Sequence, residues 1–147
     1  MKTIEEVLQE KGKFVSAPLG VSMLPLIRPQ CDVVLLSRDT SEIGKYDVVL
    51  YKRKNGKYIL HRILGQNEKG YILCGDNQYI KEYGIQKEQI LAVMKGFYRG
   101  ENRYIDIQLK GYRIYSKFWC YSLTLRRIFL FGMRVIGKIK RCVKRGK

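Results

Sequence analysis

Between residues 14 and 109 the chain is a succession of short β-branched or aromatic runs separated by Gly, Asn and Asp. The runs are DVVLL, YDVVLYKR, YILHRIL, YILC, QILAVMKGFYR and RYIDIQL. Such residues favour strands, and the separators favour tight turns. RKNGK, residues 53–57, stands between two runs and contains Asn-Gly, a strong hairpin signal. Because no helical pattern intervenes, we expect a mostly β fold, an antiparallel β-sandwich or partly open barrel.

A short amphipathic helix is expected before the β region, in TIEEVLQEK at residues 3–11. Thr3 and Glu6 have the spacing of a capping box, and Gly12 is placed to end the helix. The segment lacks the apolar run of a signal peptide. The N-terminal part is therefore predicted to be a helix and not a targeting or membrane-anchoring segment.

The excess positive charge lies at the C-terminal end. The chain has 29 Lys and Arg against 13 Asp and Glu, a net charge of +16, and residues 110–147 hold 12 of the basic residues but no acidic one. We therefore expect three parts: a helix at 1–13, a domain at 14–109 and a basic amphipathic tail at 110–147. An anionic partner is expected at the tail.

The tail follows helical periodicity from residue 115 to 143, with an apolar and a basic stripe on different faces. The apolar stripe comprises Phe118, Ser122, Leu125, Phe129, Gly132, Ile136, Ile139 and Val143, and the basic stripe Arg127, Arg134, Lys138, Arg141 and Arg145. A transmembrane span is not expected, because Arg126 and Arg127 interrupt the candidate segment. The pattern instead predicts a helix lying on an anionic membrane surface.

In this interpretation Trp119 and Tyr121 are interfacial anchors, and Arg126, Arg127 and Arg134 contact the lipid headgroups. Two alternatives stay open. The apolar stripe would pack on the chain's own domain, or the tail would bind nucleic acid through phosphate contacts and stacked aromatic rings. Nucleic acid is disfavoured because it would leave the apolar face unused.

The four cysteines, Cys31, Cys74, Cys120 and Cys142, are widely spaced, and only one histidine could join them. A zinc site is not expected, and we predict no metal or cofactor. Free thiols favour a reducing cytoplasmic setting. Together with the basic helix, they predict peripheral association with the cytoplasmic side of a membrane.

Three short motifs carry residues suited to nucleophilic catalysis. GVSMLP, residues 20–25, places Ser22 among apolar neighbours, and His61 in YILHRIL is the only histidine. A serine attacks a carbonyl when a base takes its proton, and imidazole is the commonest base near neutral pH. CGDN, residues 74–77, contains Asp76, and a carboxylate can orient an imidazole. Taken singly, each motif is more typical of a turn or a structural strand residue.

In the order GVSMLP, GKYDVVLY, LHRI and CGDNQ, these segments resemble the motifs of the type I signal peptidase and LexA-like serine endopeptidases, over residues 14–97. Bacterial signal peptidases and LexA-like proteins have a lysine as the base. The endoplasmic-reticulum and archaeal signal peptidases have a histidine followed by arginine and an aliphatic residue, as in His61-Arg62-Ile63. The resemblance implies that Ser22 is the nucleophile, His61 the general base and later acid, and Asp76 the residue that holds His61.

The resemblance also implies cleavage of a leader or signal-like peptide through an acyl-enzyme. Met23 and Pro25 are expected to contact substrate. Gly20 stands where the family commonly has a serine, so oxyanion binding is expected from backbone N–H groups of the Gly20–Ser22 loop, chiefly that of Ser22. Tyr46 stands where the family usually has glycine. A LexA-like self-cleaving regulator is the alternative, but it would require a lysine base and an N-terminal DNA-reading domain.

Overall fold

Eight antiparallel strands form one open sheet in the computed structural model. The structure describes residues 2–100, 102–121 and 123–145, and for Thr124 and residues 137–145 it describes the backbone alone. The strands are β1 (Lys13–Ser16), β2 (Asp32–Ser37), β3 (Val48–Lys52), β4 (Tyr58–Asn67), β5 (Gly70–Cys74), β6 (Glu82–Ile85), β7 (Ile90–Arg99) and β8 (Arg103–Asp106). Their order is β1-β2-β7-β3-β4-β5-β6, and β8 also pairs with β7. The prediction of a mostly β, antiparallel fold is confirmed, although β1 and β6 lie outside the predicted runs.

The centre of the sheet is buried on both faces. On β3, Val48 and Leu50 belong to one apolar cluster, whereas Val49 and Tyr51 belong to a second. Successive side chains of a strand point to opposite faces, so the two clusters lie on the two sides of the sheet. Strand β7, which pairs with β2 and β3, contributes Met94 to the first cluster and Val93 to the second because its successive side chains also point to opposite faces.

Helix α1 (Ile4–Lys11) has the termini that the sequence predicts. The Thr3 side chain accepts from the Glu6 N–H, and the Glu6 carboxylate accepts from the Thr3 N–H, which completes the capping box. Gly12 ends the helix in the left-handed region at φ 67°. Glu5 accepts a hydrogen bond of 2.7 Å from Lys52, so the helix is tied to the end of β3.

The Asn-Gly signal marks the β3–β4 hairpin, as predicted. Gly56 has φ 81°, and the N–H of Arg53 donates to the carbonyl of Lys57 over 2.9 Å. The resulting register places Val49 opposite His61 and Val48 opposite Arg62. The hairpin therefore puts His61 and Arg62 in the middle of the sheet.

The C-terminal part forms two helices, α2 (Lys110–Tyr121) and α3 (Leu123–Arg145), where the sequence predicts one beginning near residue 115. The predicted membrane contacts of Trp119 and Arg126 are wrong, because these side chains are only 7% and 3% exposed. Both have polar partners inside the molecule. Trp119 Nε1 donates to the carbonyl of Asp76 over 3.0 Å, and Arg126 Nη2 donates to Cys74 Sγ over 3.1 Å.

Four described members of the predicted apolar stripe, Phe118, Leu125, Phe129 and Ile136, are exposed by 51% to 73%. The helices pack on the chain's own domain mainly through other side chains, Trp119 and Leu130, although Phe129 also contacts the Trp119 ring. Arg127 and Arg134 are exposed, as predicted. Six other members of the two predicted stripes lie outside the described side chains: Ser122, Lys138, Ile139, Arg141, Val143 and Arg145. None of the described helices combines the length and apolarity needed to cross a bilayer.

Candidate active site

Ser22 lies half-buried in the loop between β1 and β2, and the turn after β5 holds this loop in place. The N–H of Asn77 donates to the carbonyl of Ser22 over 2.7 Å, and Asn77 Nδ2 donates to the carbonyl of Val21 over 3.0 Å. These bonds join the GVSMLP and CGDN motifs, which are far apart in the sequence. The position of Ser22 is therefore fixed by tertiary contacts.

His61 reaches the same place from β4, and its ring is 2% exposed. A Cβ atom on Gly75 would lie 2.6 Å from the Ser22 carbonyl oxygen and 3.1 Å from Nε2 of His61. Only glycine permits this close approach. The Ser22 backbone and the Nε2 edge of the imidazole thus meet at Gly75.

Among the described residues, no hydrogen bond joins the Ser22 hydroxyl to His61. A serine hydroxyl turns about a single bond, and catalytic hydrogen bonds often tighten only when substrate is bound. The arrangement therefore brings the serine loop and the imidazole into one site without a hydrogen bond between Ser22 and His61.

The other edge of the His61 ring faces polar groups that the sequence analysis missed. Nδ1 lies 3.3 Å from the Tyr51 hydroxyl and 3.3 Å from Glu82 Oε1. Glu82 in turn accepts from Arg53, with Nε at 2.9 Å and a second bond from Nη2. Glu82 reaches this position because β6 pairs with β5, with Glu82 opposite Leu73. The sequence KEYG carries no strand signal, so nothing local identifies Glu82.

The carboxylate of Asp76 binds Arg62 and not His61. Its two oxygens accept from Arg62 Nε at 2.8 Å and Nη2 at 2.7 Å, and both side chains are fully buried. The predicted role of Asp76 as the group that holds His61 is therefore corrected. Because His61 and Arg62 are successive residues of β4, they point to opposite faces of the sheet. Asp76 lies on the Arg62 face, whereas Glu82 lies on the His61 face.

Arg62 connects the Asp76 turn to two other parts of the chain. Its Nη1 donates to the carbonyl of Tyr46 over 2.8 Å and to Ser116 Oγ of α2 over 2.9 Å. Burial opposes its charge, but the Asp76 carboxylate raises the pKa of the Arg62 guanidinium well above its ordinary value. The Arg62–Asp76 salt bridge holds the turn that carries Gly75.

Tyr46 adopts φ 80°, in the region that favours glycine. This is the position where the motif that the sequence resembles usually has glycine. The Tyr46 N–H donates to the carbonyl of Ile63 over 2.8 Å, and its carbonyl accepts from Arg62. The turn before β3 therefore has its left-handed residue, and this residue is a tyrosine.

The electrostatics favour a neutral imidazole beside a carboxylate. Burial lowers the pKa of His61 to about 4, although the charge of Glu82 acts to raise it. Burial acts against the charge of Glu82, but hydrogen bonds from Arg53 and Tyr51 keep its pKa below the usual value. At neutral pH His61 is therefore uncharged and able to accept a proton.

Ser22 borders an apolar groove of ≈ 490 Å³. Gly20, predicted to serve the oxyanion loop, lines it. Met23, predicted to contact substrate, also borders it, but Met23 is only 2% exposed and belongs to the apolar core. Pro25, the other predicted substrate contact, follows a cis peptide bond, and the described residues that line the groove do not include it. Other walls come from α1, β1, β2 and the β3–β4 hairpin: Ile4, Phe14, Leu36, Leu50, Tyr58 and Leu60. The groove offers an apolar binding surface next to the candidate nucleophile.

Comparison of the chain with models of protein families, with curated proteins and with solved structures found no match. The site is therefore characterised by its own geometry: a serine loop and a neutral imidazole meet at Gly75, and a carboxylate faces the far side of the ring.

Proposed function

We propose that the protein is a serine endopeptidase of the signal-peptidase type, with Ser22 as nucleophile and His61 as general base. The observation that carries the proposal is the meeting of the Ser22 backbone and His61 Nε2 at Gly75. The order of the sequence motifs supports it. In this proposal the open sheet is the partly open barrel of a signal-peptidase and LexA-like catalytic core.

The reaction uses the Nε2 edge of the imidazole throughout, first as base and then as acid. His61 Nε2 takes the proton of the Ser22 hydroxyl as Oγ bonds to the substrate carbonyl carbon. The C–N bond then breaks, and the same proton passes from Nε2 to the leaving amine, which leaves an acyl ester on Ser22. Water hydrolyses the ester with His61 again as base. We assign oxyanion binding to the backbone N–H of Ser22, in the loop that follows Gly20.

Glu82 takes the positioning role that the sequence analysis gave to Asp76. A base at Nε2 requires the proton to be on Nδ1, and Glu82 Oε1 and the Tyr51 hydroxyl both face Nδ1. The carboxylate also stabilises the imidazolium that forms when His61 accepts the serine proton. Asp76 contributes through Arg62, by holding the turn on which the serine loop rests.

The substrate class follows from the groove beside Ser22. Its apolar walls suit an extended peptide segment with apolar side chains near the cut, as in a leader or signal-like peptide. We further propose that this cleavage occurs at the cytoplasmic side of a membrane. Free thiols at Cys31, Cys74 and Cys120 and the basic C-terminal helices support this location.

The experiment is cleavage of a leader-peptide library by the purified chain, read by mass spectrometry, with acid quenching to trap an acyl adduct on Ser22. We expect Ser22→Ala and His61→Ala each to lower cleavage by roughly a thousandfold or more, because such groups act as a unit. Ser41→Ala is the matched control, since Ser41 is an exposed serine whose hydroxyl bonds only locally to Asp39.

A His61→Ala protein with full cleavage would remove the proposed base. Incubation of the protein alone tests the LexA-like alternative, because a discrete self-cleavage product dependent on Ser22 would identify a self-cleaving regulator. Circular dichroism of each variant shows whether lost activity reflects lost folding.

A further inference from the structure

The exposed faces of α2 and α3 form an apolar surface that the catalytic proposal does not use. On α2, Ile114, Phe118 and Tyr121 are 67%, 73% and 87% exposed. On the described part of α3 the exposed apolar side chains include Ile128, Phe129, Phe131, Met133, Val135 and Ile136. Monomeric proteins in water rarely expose apolar patches of this extent, so the surface has a binding role.

The outward orientation follows from what the opposite faces bind. Helix α2 turns Ser116 and Trp119 inward, to Arg62 and Asp76. Helix α3 turns Arg126 and Leu130 inward, where Arg126 binds Cys74. These buried contacts fix the inner faces of the two helices, so the apolar residues on the other faces are exposed.

Positive charge borders this surface. Arg127 and Arg134 are exposed on α3, and residues 110–147 contain no Asp or Glu. A groove of ≈ 330 Å³ runs between Tyr79 and α3, and its walls combine these two arginines with Ile128 and Phe131. The Arg127 guanidinium lies 5.0 Å from the centre of the Tyr79 ring. Guanidinium groups beside apolar side chains match the chemistry of a phosphate headgroup joined to an acyl chain.

We infer that this surface docks on an anionic lipid bilayer, with the apolar side chains in the acyl region and Arg127 and Arg134 at the headgroups. A second copy of the chain would bring two strongly basic tails together, which like-charge repulsion opposes. A nucleic acid would pair with the arginines but leave the apolar residues in water. A bilayer with anionic headgroups satisfies both parts of the surface. The inference does not depend on the catalytic proposal.

The test is flotation of the full chain with phosphatidylcholine vesicles, with or without about 30% phosphatidylglycerol. We expect flotation with the anionic vesicles, weakened by high salt, and little with the neutral ones. Arg127→Gln with Arg134→Gln should reduce binding roughly thirtyfold, since each basic residue near such a surface contributes about 1 kcal/mol. Lys54→Gln with Lys57→Gln is the matched control, because it removes the same charge from the exposed β3–β4 turn.

The apolar part of the surface is tested by Ile128→Asn combined with Phe118→Asn, and we expect this double variant to lose flotation. Leu19→Asn is the control, because it removes an exposed leucine from the serine loop. Equal loss in the two charge-matched pairs would overturn the inference. It would also be overturned by binding of a salt-titrated oligonucleotide without vesicle binding, or by a stable dimer in sedimentation that buries these residues and does not float.

Discussion

At the residue scale, adjacent side chains of one strand serve different purposes. His61 faces Tyr51 and Glu82 on one side of β4, whereas Arg62 faces Asp76 and the α2 helix on the other. The alternation of a β-strand makes this division unavoidable. The LHRI motif therefore places an imidazole beside the serine loop and a buried arginine at the turn that supports this loop.

Glu82 is predicted to set the tautomer of His61. Because His61 is the chain's only histidine, its ring nitrogens give a single set of ¹⁵N signals in NMR. In the native protein we expect the proton on Nδ1 at neutral pH. Glu82→Ala should remove this preference, whereas Glu82→Gln keeps an acceptor and should retain it while lowering kcat about tenfold or more through the lost charge.

Glu88→Ala is the control for these variants. Glu88 is exposed and lies close to Glu82 in the sequence, and its substitution removes an equal charge. An unchanged tautomer in Glu82→Ala would contradict the positioning role. Since this spectrum does not require substrate, the result separates failure of the Glu82 assignment from failure of the peptidase proposal.

At the element scale, the sheet alone does not complete the site. Strand β6 delivers Glu82, and α2 braces the Asp76 turn from the other side through Trp119 and Ser116. The Trp119 ring also stacks on Tyr115, with ring centres 5.6 Å apart, and meets the edge of Phe129 of α3. The C-terminal helices are therefore part of the framework of the candidate site.

Trp119→Phe is expected to destabilise the protein by about 1–3 kcal/mol, because the Asp76 carbonyl loses a buried hydrogen bond. Urea unfolding followed by circular dichroism measures the change. Phe118→Ala provides the comparison on the same helix: Phe118 is 73% exposed, and we expect a change within about 0.5 kcal/mol. Equal effects of the two substitutions would show that Trp119 does not brace the turn.

At the scale of the whole molecule, the buried imidazole links stability to pH. The pKa of His61 is about 4 in the folded protein because of burial, and it is about 6.5 in an unfolded chain. Between these values the unfolded state binds more protons, so acidification favours unfolding. The negative charges of Glu82 and Asp76 oppose this lowering of the His61 pKa, whereas the positive charge of Arg53 adds to it.

The free energy of unfolding is expected to fall by about 2 kcal/mol between about pH 7.5 and pH 5. Urea titrations across this range measure it. His61→Phe should remove most of this slope. The salt-bridged Glu5, whose pKa is lowered to about 2 chiefly by its hydrogen bond from Lys52, loses its contribution at lower pH, as pH falls through about 4.5 to 2. A native slope that persists in His61→Phe would show that other groups control the pH dependence.

The sequence by itself determined the features that depend on neighbours in the chain. The capping box at Thr3 and Glu6, the Asn-Gly hairpin and the strand runs are set by backbone preferences and side-chain periodicity, and the structure has all of them. The sequence also singled out Ser22 and His61, because a hydroxyl and a lone imidazole are recognisable by chemistry alone. Such features need no knowledge of distant contacts.

Only the tertiary structure decided which distant groups become partners. Asp76 pairs with Arg62 and Glu82 faces His61, although the sequence predicts the carboxylate in CGDN as the partner of the imidazole. Trp119 is buried, and the described side chains Phe118 and Ile136 of the apolar stripe are exposed. These outcomes depend on strand register, on the side of the sheet that each residue faces and on long-range burial. No local sequence pattern predicts them, because the identity of a carboxylate or an aromatic residue does not specify which distant residue it will contact.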